Sequence, residues 1–347
     1  MTAGLHAASD RFTPVAAVEM DLAAAASFEK TFGEDIVSPM PIQDWLASDR
    51  VPDEVDVIIG GPPCQGFSTL GKQDVEDERN SLWEQYAKTI LRVKPKYFVV
   101  ENVAAFAKSP QFELFQAAVD GGDLADYDFK HDILNAADYG APQARKRAVL
   151  IGYHRDLAFP GFPEKTHSAH ADDDGLERYV TVEDALGDVP LEPDRDHTFE
   201  ERVTEFGGRQ YAGWFQPRNM HWSRNYTELS RRRFAAIPKG GNRFDLPRDL
   251  LAPCWAKHTS GSGDVMGRLH ADRPAVTIRT EFFKPEKGRY LHPTANRAIT
   301  HYEAALLQGF PNEHKFVGSK TAIARQIGNA VPIPLGAAIG RQLLAAL

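Results

Sequence analysis

Three short apolar runs, residues 55–59, 97–103 and 148–153, alternate with stretches of helical periodicity, and this alternation limits the chain to a few architectures. The runs are too short for buried helices and read as strands buried on both faces. Residues 13–21 read as a further strand ending in acid, followed by a helix over 22–32 that Gly33 closes. Residues 80–93 form an amphipathic pattern with Asn80 or Ser81 as cap, and Pro95 ends it. Residues 110–119 read as another helix and 129–135 as another strand. This spacing predicts an α/β fold with a Rossmann-like, mainly parallel sheet and helices on both faces. In such sheets chemistry collects at the carboxyl ends of the strands.

Two of those ends stand out. After the run at 55–59 comes Gly60-Gly61-Pro62-Pro63-Cys64-Gln65-Gly66-Phe67-Ser68, which sets one of two cysteines in a rigid loop. The run at 97–103 ends in Glu101-Asn102-Val103, and the run at 148–153 is preceded by a loop with Arg145, Lys146 and Arg147. A thiolate, a carboxylate and a guanidinium on one edge suit attack on an electron-poor ring. The thiolate adds covalently, the acid hydrogen-bonds a ring nitrogen, and the arginine grips a carbonyl. Nearby cations would lower the Cys64 pKa from its reference of about 8.5. Cys64 and Cys254 lie 190 positions apart, which suggests no disulfide framework, and no Cys/His cluster has metal-ligand spacing. Cys254 reads as a buried thiol.

Beyond about residue 160 the texture changes to dense proline, aromatic and arginine, with helical periodicity only at 182–186 and 229–236. It recovers from Thr300, with helices at 302–307 and 335–347 and a turn at 324–332. The expected division is a first catalytic part over 1–185, a loop-rich recognition module over 186–295, and a return over 296–347. The net charge of −8 argues mildly against a nucleic-acid partner until its distribution is considered. Residues 208–248 hold nine basic residues against two acidic ones, a local excess of seven that suits phosphate contact. Trp214, Phe215 and Trp222 read as the module's own small core. No run approaches about 18 apolar residues, so no membrane span is expected, and a reducing cytoplasm is the simplest compartment.

Taken in order, these segments resemble the cytosine-C5 DNA methyltransferases of bacterial restriction–modification systems. The matching stretches are residues 60–68, Glu101-Asn102-Val103, Gln143-Ala144-Arg145-Lys146-Arg147, 273–280, Gln308-Gly309-Phe310-Pro311 and 326–332. The resemblance implies that Cys64 attacks C6 of a flipped-out cytosine in duplex DNA, with Pro63 shaping its loop. It implies that Glu101 binds the N3 and amine edge and Arg147 holds O2, with Arg145 in support. A methyl group would then pass from S-adenosylmethionine to C5. Glu19, Met20, Pro62 and Asn329 would line the cofactor site. Gln65 and Ser68 would lie in a loop closing over DNA, and Arg218, Arg224 and Arg243 could read guanine edges.

The resemblance also carries departures. The family opens on a Phe-x-Gly-x-Gly-Gly loop, but only 18 residues precede Glu19, with one glycine and no apolar strand. The first strand and glycine loop are therefore expected to be missing. Where the family has Gly-Asp-Ile, this chain has Pro41, with the aspartate replaced or displaced to Asp44. Two alternatives stay open: a cofactor-deficient homologue that binds DNA without methylating it, and a transfer-RNA cytosine methyltransferase. The expected partners are duplex DNA and a cognate restriction endonuclease, with the enzyme a monomer and no metal.

Overall fold

The computed structural model describes residues 1–62, 82–194, 202–256 and 260–347. Pro63, Cys64, Gln65, Ser68 and the expected caps Asn80 and Ser81 lie outside the described residues.

In chain order, the first part runs α1 (Thr2–Ala8), β1 (Ala17–Val18), α2 (Leu22–Phe32), β2 (Val37–Ser38), α3 (Ile42–Leu46), β3 (Val57–Gly60), α4 (Leu82–Val93), β4 (Tyr97–Val103), α5 (Pro110–Val119), β5 (Tyr127–Asn135) and β6 (Lys146–His154). Helix α2 starts where expected because the Asp21 carboxylate accepts from the Ala23 and Ala24 amides at 3.0 and 3.2 Å, and Gly33 closes it at φ 127°. Ser109 caps α5 ahead of Pro110 in the same way.

The main sheet has the order β3-β4-β6-β5. Strands β3 and β4 pair in parallel, as do β1 and β2 in a separate two-stranded sheet. Strand β6 runs antiparallel between β4 and β5. That direction decides where the site forms. In an all-parallel sheet the start of β6 would lie at the amino edge, away from Glu101. Running antiparallel, β6 begins beside the carboxyl end of β4. Among the described residues β1 and β3 are not hydrogen-bonded to each other, yet Val18 and Ile58 both pack on the cluster around Trp45.

The central strands β4 and β6 are buried on both faces. Tyr97, Val99, Val149 and Ile151 pack with α12 and Leu5 on one side, while Phe98, Val100 and Leu150 pack with α4 and α5 on the other, where α12 is Ile333–Leu344. This is the period of two that a strand requires. It explains why the runs are almost continuously apolar.

The middle of the chain carries β7 (His167–Ser168), α6 (Ala171–Asp174), β8 (Glu177–Arg178), α7 (Val182–Leu186), β9 (Val203–Phe206), β10 (Arg209–Phe215), α8 (Glu228–Ala236) and α9 (Pro253–Ala256). It returns through α10 (His301–Leu307), β11 (Phe316–Val317) and α11 (Lys320–Asn329). The expected turn at 324–332 is mostly the end of α11, which Ser319 caps.

The boundary expected at residue 186 falls inside one apolar cluster. Leu186, Phe215, Met220 and Trp222 pack with Ala304, Leu307 and Ile327. The hairpin β9–β10 also pairs with β11 from the returning segment. Phe215 and Trp222 therefore belong to a core shared with the catalytic half, and Trp214 is half-buried between the cations of Arg202 and Lys315. A core of the module's own forms later, around Phe234, Ile237, Leu246, Leu250, Met266 and Leu291. A buried ion pair in the returning segment anchors the bond that crosses to the module. Arg297 meets Glu303 through two 2.7 Å contacts and donates to the Leu191 carbonyl at 3.0 Å.

Candidate active site

Strand register builds the site. Glu101 stands opposite Val149, and Val103 opposite Arg147, so Glu101 and Arg147 project from the same sheet face. Arg147 Nε lies 2.8 Å from Glu101 Oε1, and the side chains are 13% and 12% exposed, respectively. The N–H is not aimed at the oxygen, and Oε1 has no aligned hydrogen bond. That oxygen is itself buried, so the contact acts mainly as a charge pair inside the site. Burial pushes the Arg147 pKa down, and the Glu101 charge only partly offsets it.

Arg145 sits behind this pair, 3% exposed, with Nη1 donating to the Ile278 carbonyl at 2.9 Å. Burial, and then repulsion from Arg147, push its pKa down to about 9. The loop expected at 140–147 is in fact clamped to a distant segment. Ala144 N donates to Ala275 O at 2.8 Å, Ala275 N to Pro142 O at 2.9 Å, and Ile278 N to Gln143 Oε1 at 2.7 Å.

Asn102 had no assigned role and has one here. Its Nδ2 donates to the Pro62 carbonyl at 2.8 Å, and its Oδ1 accepts from Val103 N at 2.8 Å. It therefore ties the start of the cysteine loop to the strand that carries Glu101. An amide directly after a strand-end carboxylate was the available signal. Cys64 itself, with Gln65 and Ser68, lies outside the described residues.

Glu19 follows β1, and its Oε1 accepts from Asp21 N at 2.8 Å. Burial pushes its pKa up. Met20 beside it is 70% exposed and borders an open cavity of about 600 Å³, whose lining includes Leu22, Arg209, Tyr211 and Arg325. Asn329 ends α11 and is exposed, and Pro62 is half-buried. Asp44 is exposed in the first turn of α3.

Arg218 and Arg224 are exposed, as a contact with DNA requires. Arg243 departs from the expected guanine reader. It is 8% exposed, donates to the Ser260 carbonyl at 2.8 Å and lies over the Phe244 ring. Cys254 is exposed, contrary to the expected buried thiol, because the four-residue helix α9 holds it at the surface. Among the described residues no group of acidic, histidine or cysteine side chains could hold a metal. No helix among them is long and apolar enough to cross a membrane.

Comparison with known proteins identifies the family. Residues 1–345 match the family described as C-5 cytosine-specific DNA methylase. The chain is 34% identical over 320 residues to the type II methyltransferase M.XorII of Xanthomonas oryzae, covering 85% of this chain and 69% of that protein. It is likewise 34% identical over 296 residues to M1.HphI of Haemophilus parahaemolyticus, covering 84% and 68%. Among solved structures, a prophage-encoded Escherichia coli protein assigned as a DNA modification methyltransferase superposes with a TM-score of 0.69 at 22% identity, over 99% of this chain and 96% of that one. The Schizosaccharomyces pombe Dnmt2 methyltransferase superposes at 0.52 and 16% identity, over 99% and 94%, and these likenesses bear on the fold alone. The chain belongs to the C-5 cytosine-specific DNA methylase family and is a DNA (cytosine-5)-methyltransferase.

Proposed function

We propose that this chain methylates C5 of a cytosine extruded from duplex DNA, through a covalent bond between Cys64 and C6. The observation that carries the reading is the Glu101–Arg147 pair at the end of β4, beside the Asn102 tie to the cysteine loop. The ring atoms cannot be reached inside a stacked duplex, which is why extrusion is needed.

In this reading the Cys64 thiolate forms the bond to C6, and the electron pair of the C5–C6 double bond moves toward C5 and N3. Glu101 donates a hydrogen bond at N3 as charge collects there and accepts from the exocyclic amine. Arg147 holds O2, and Arg145, fixed on the Ile278 carbonyl, keeps Arg147 from swinging back. After C5 has gained the methyl group, loss of the C5 proton to solvent water frees the electron pair that re-forms the C5–C6 double bond and expels the thiolate from C6, restoring the aromatic ring and the free cysteine.

S-adenosylmethionine, when bound, supplies an electrophilic methyl group on a sulfonium. The residues present fit its adenosine end. The Glu19 carboxylate is half-buried and so open to a ribose diol, and the Met20 side chain, 70% exposed, can cover an adenine face. Pro62 and Asn329 would complete the holding set. Gln65 and Ser68 would approach the DNA from the cysteine loop, and Arg218 and Arg224 from the recognition module. Relatives named as type II methyltransferases support a partner endonuclease acting on the same sequence. We infer that the enzyme works as a monomer in the cytoplasm.

Bisulfite sequencing of DNA from cells expressing the chain tests the reading directly. One sequence context should become protected from conversion, and Cys64→Ser should abolish that protection while duplex binding survives. Protection that persists in Cys64→Ser would remove the cysteine from the mechanism.

A further inference from the structure

Arg279 belongs to a stretch singled out in the sequence, residues 273–280, yet the reaction leaves it without a task. It follows Ile278, whose carbonyl takes the Arg145 guanidinium at 2.9 Å and whose amide donates to Gln143 at 2.7 Å. On its other side the Arg279–Thr280 peptide is pressed by α11. A Cβ added at Gly328 would lie 2.4 Å from Thr280 N and 2.5 Å from Arg279 C, so only glycine allows this approach. Gly328 immediately precedes Asn329. The backbone of Arg279 is thus wedged between the segment that holds Arg145, the support of Arg147, and the end of α11.

Its side chain is exposed but not loose. Nε donates to the Tyr290 hydroxyl at 3.0 Å and Nη2 to the Lys287 carbonyl at 2.7 Å. Tyr290 is itself fully buried, donates to Thr277 O at 3.0 Å, and lies close enough to act electrostatically on Arg145. Gly288 leaves room for this arrangement, since a Cβ there would come within 3.0 Å of Arg279 Nη2. Both ties are to neutral oxygens. Glu281, the carboxylate two positions away, is engaged by Lys284 and by Lys287 at 3.4 Å. The result is a preorganised, exposed guanidinium one residue beyond the carbonyl that fixes Arg145, with no carboxylate partner among the described residues.

A held, exposed and uncompensated guanidinium suits one class of ligand, an anionic oxygen pair such as a phosphodiester. We propose that Arg279 is a backbone-phosphate clamp, gripping one phosphodiester of bound DNA beside the cytosine that enters the Glu101–Arg147 cleft. The clamp rests on the reading of duplex DNA as substrate. It carries no sequence information. Its effect is to fix the strand at the point where the nucleotide leaves the stack.

The test is equilibrium binding of the full chain to a short duplex carrying the context found by bisulfite sequencing, measured across a salt series. Losing one phosphate contact lowers the slope of log K against log salt by about 0.9. Arg279→Ala should therefore bind roughly tenfold more weakly at moderate salt, the size expected for one charge-assisted bond, with a slope lower by about that amount. Replacing single phosphates with neutral methylphosphonates then locates the contact. The wild type should lose affinity at a position next to the target cytosine, and Arg279→Ala should lose nothing further there. Arg279→Lys guards against a folding defect, because it keeps the charge without the two ties. It should retain most of the slope with reduced affinity. Equal methylphosphonate penalties in wild type and Arg279→Ala, or a lysine variant that loses the slope as alanine does, would overturn the clamp. A wild-type chain that binds no duplex at all would remove the DNA reading itself and the clamp with it.

Discussion

Replacing Arg297 with methionine removes the guanidinium that meets both Glu303 oxygens at 2.7 Å, where the side chains are 7% and 0% exposed. The carboxylate would keep the Thr300 amide at 2.7 Å and His292 Nε2 at 3.6 Å, and neither replaces a bidentate cation. Burial pushes the Glu303 pKa up, and in the intact protein the Arg297 bonds and charge outweigh it, leaving the group below its ordinary value. Deleting one partner of a buried pair costs about 3–5 kcal/mol, because the other charge stays behind. At roughly 2.1 cal/mol/K per residue, 347 residues carry an unfolding entropy near 0.7 kcal/mol/K, so the melting temperature should fall by about 4–7 °C. Urea unfolding and calorimetry of Arg297→Met, Glu303→Met and the double variant give the coupling. The double variant should recover most of the loss, because two apolar side chains leave no charge stranded. An Arg297→Met protein within about 1 kcal/mol of wild type, or a double variant less stable than the single one, would refute the reasoning.

Other outcomes are equally measurable. Glu101→Gln should cut single-turnover methylation by about 10²–10⁴-fold, as for a lost general acid, with duplex affinity little changed; a rate within threefold of wild type would dismiss the carboxylate. Gly328→Ala sets a methyl group against rigid backbone and should cost about 1–3 kcal/mol while raising the KM for the methyl donor through Asn329; an unchanged KM would separate the two residues. Burial holds His292 and His301 down to a pKa of about 4 and His314 down to about 3. The unfolded chain binds these protons first, so stability should be full above pH 6.5 and fall as pH drops toward 4. A flat urea midpoint over that window would contradict the buried neutral imidazoles.

The strands were legible because both sheet faces are covered, so residues 97–103 and 148–153 show an apolar run that a one-sided strand would lack. Helix α2 was legible with Gly33 as its close, whereas the Asp21 and Ser109 caps emerge only from the structure. The direction of β6 was not legible, since pairing sense leaves no mark on a strand buried on both faces. From the residues alone Arg145 and Arg147 read as one pair of loop cations; the resemblance gave them separate roles, and register supplies the physical reason by turning Arg147 to the face of Glu101. Arg243 looked like its exposed neighbours because its partner, the Ser260 carbonyl, is 17 positions away. The shared core around Trp222 was hidden for the same reason, its partners coming from α10 and α11.

The antiparallel entry of β6 has a consequence for how this site tolerates change. Arg147 faces Glu101 by parity: it lies two positions from Val149, which stands opposite Glu101. Inserting or deleting a single residue between Arg147 and Val149 would turn the guanidinium to the far face of the sheet, whereas a point substitution there leaves the count intact. Length within that short segment is therefore guarded more tightly than composition, and frame-preserving indels there should inactivate the enzyme even where the core still packs.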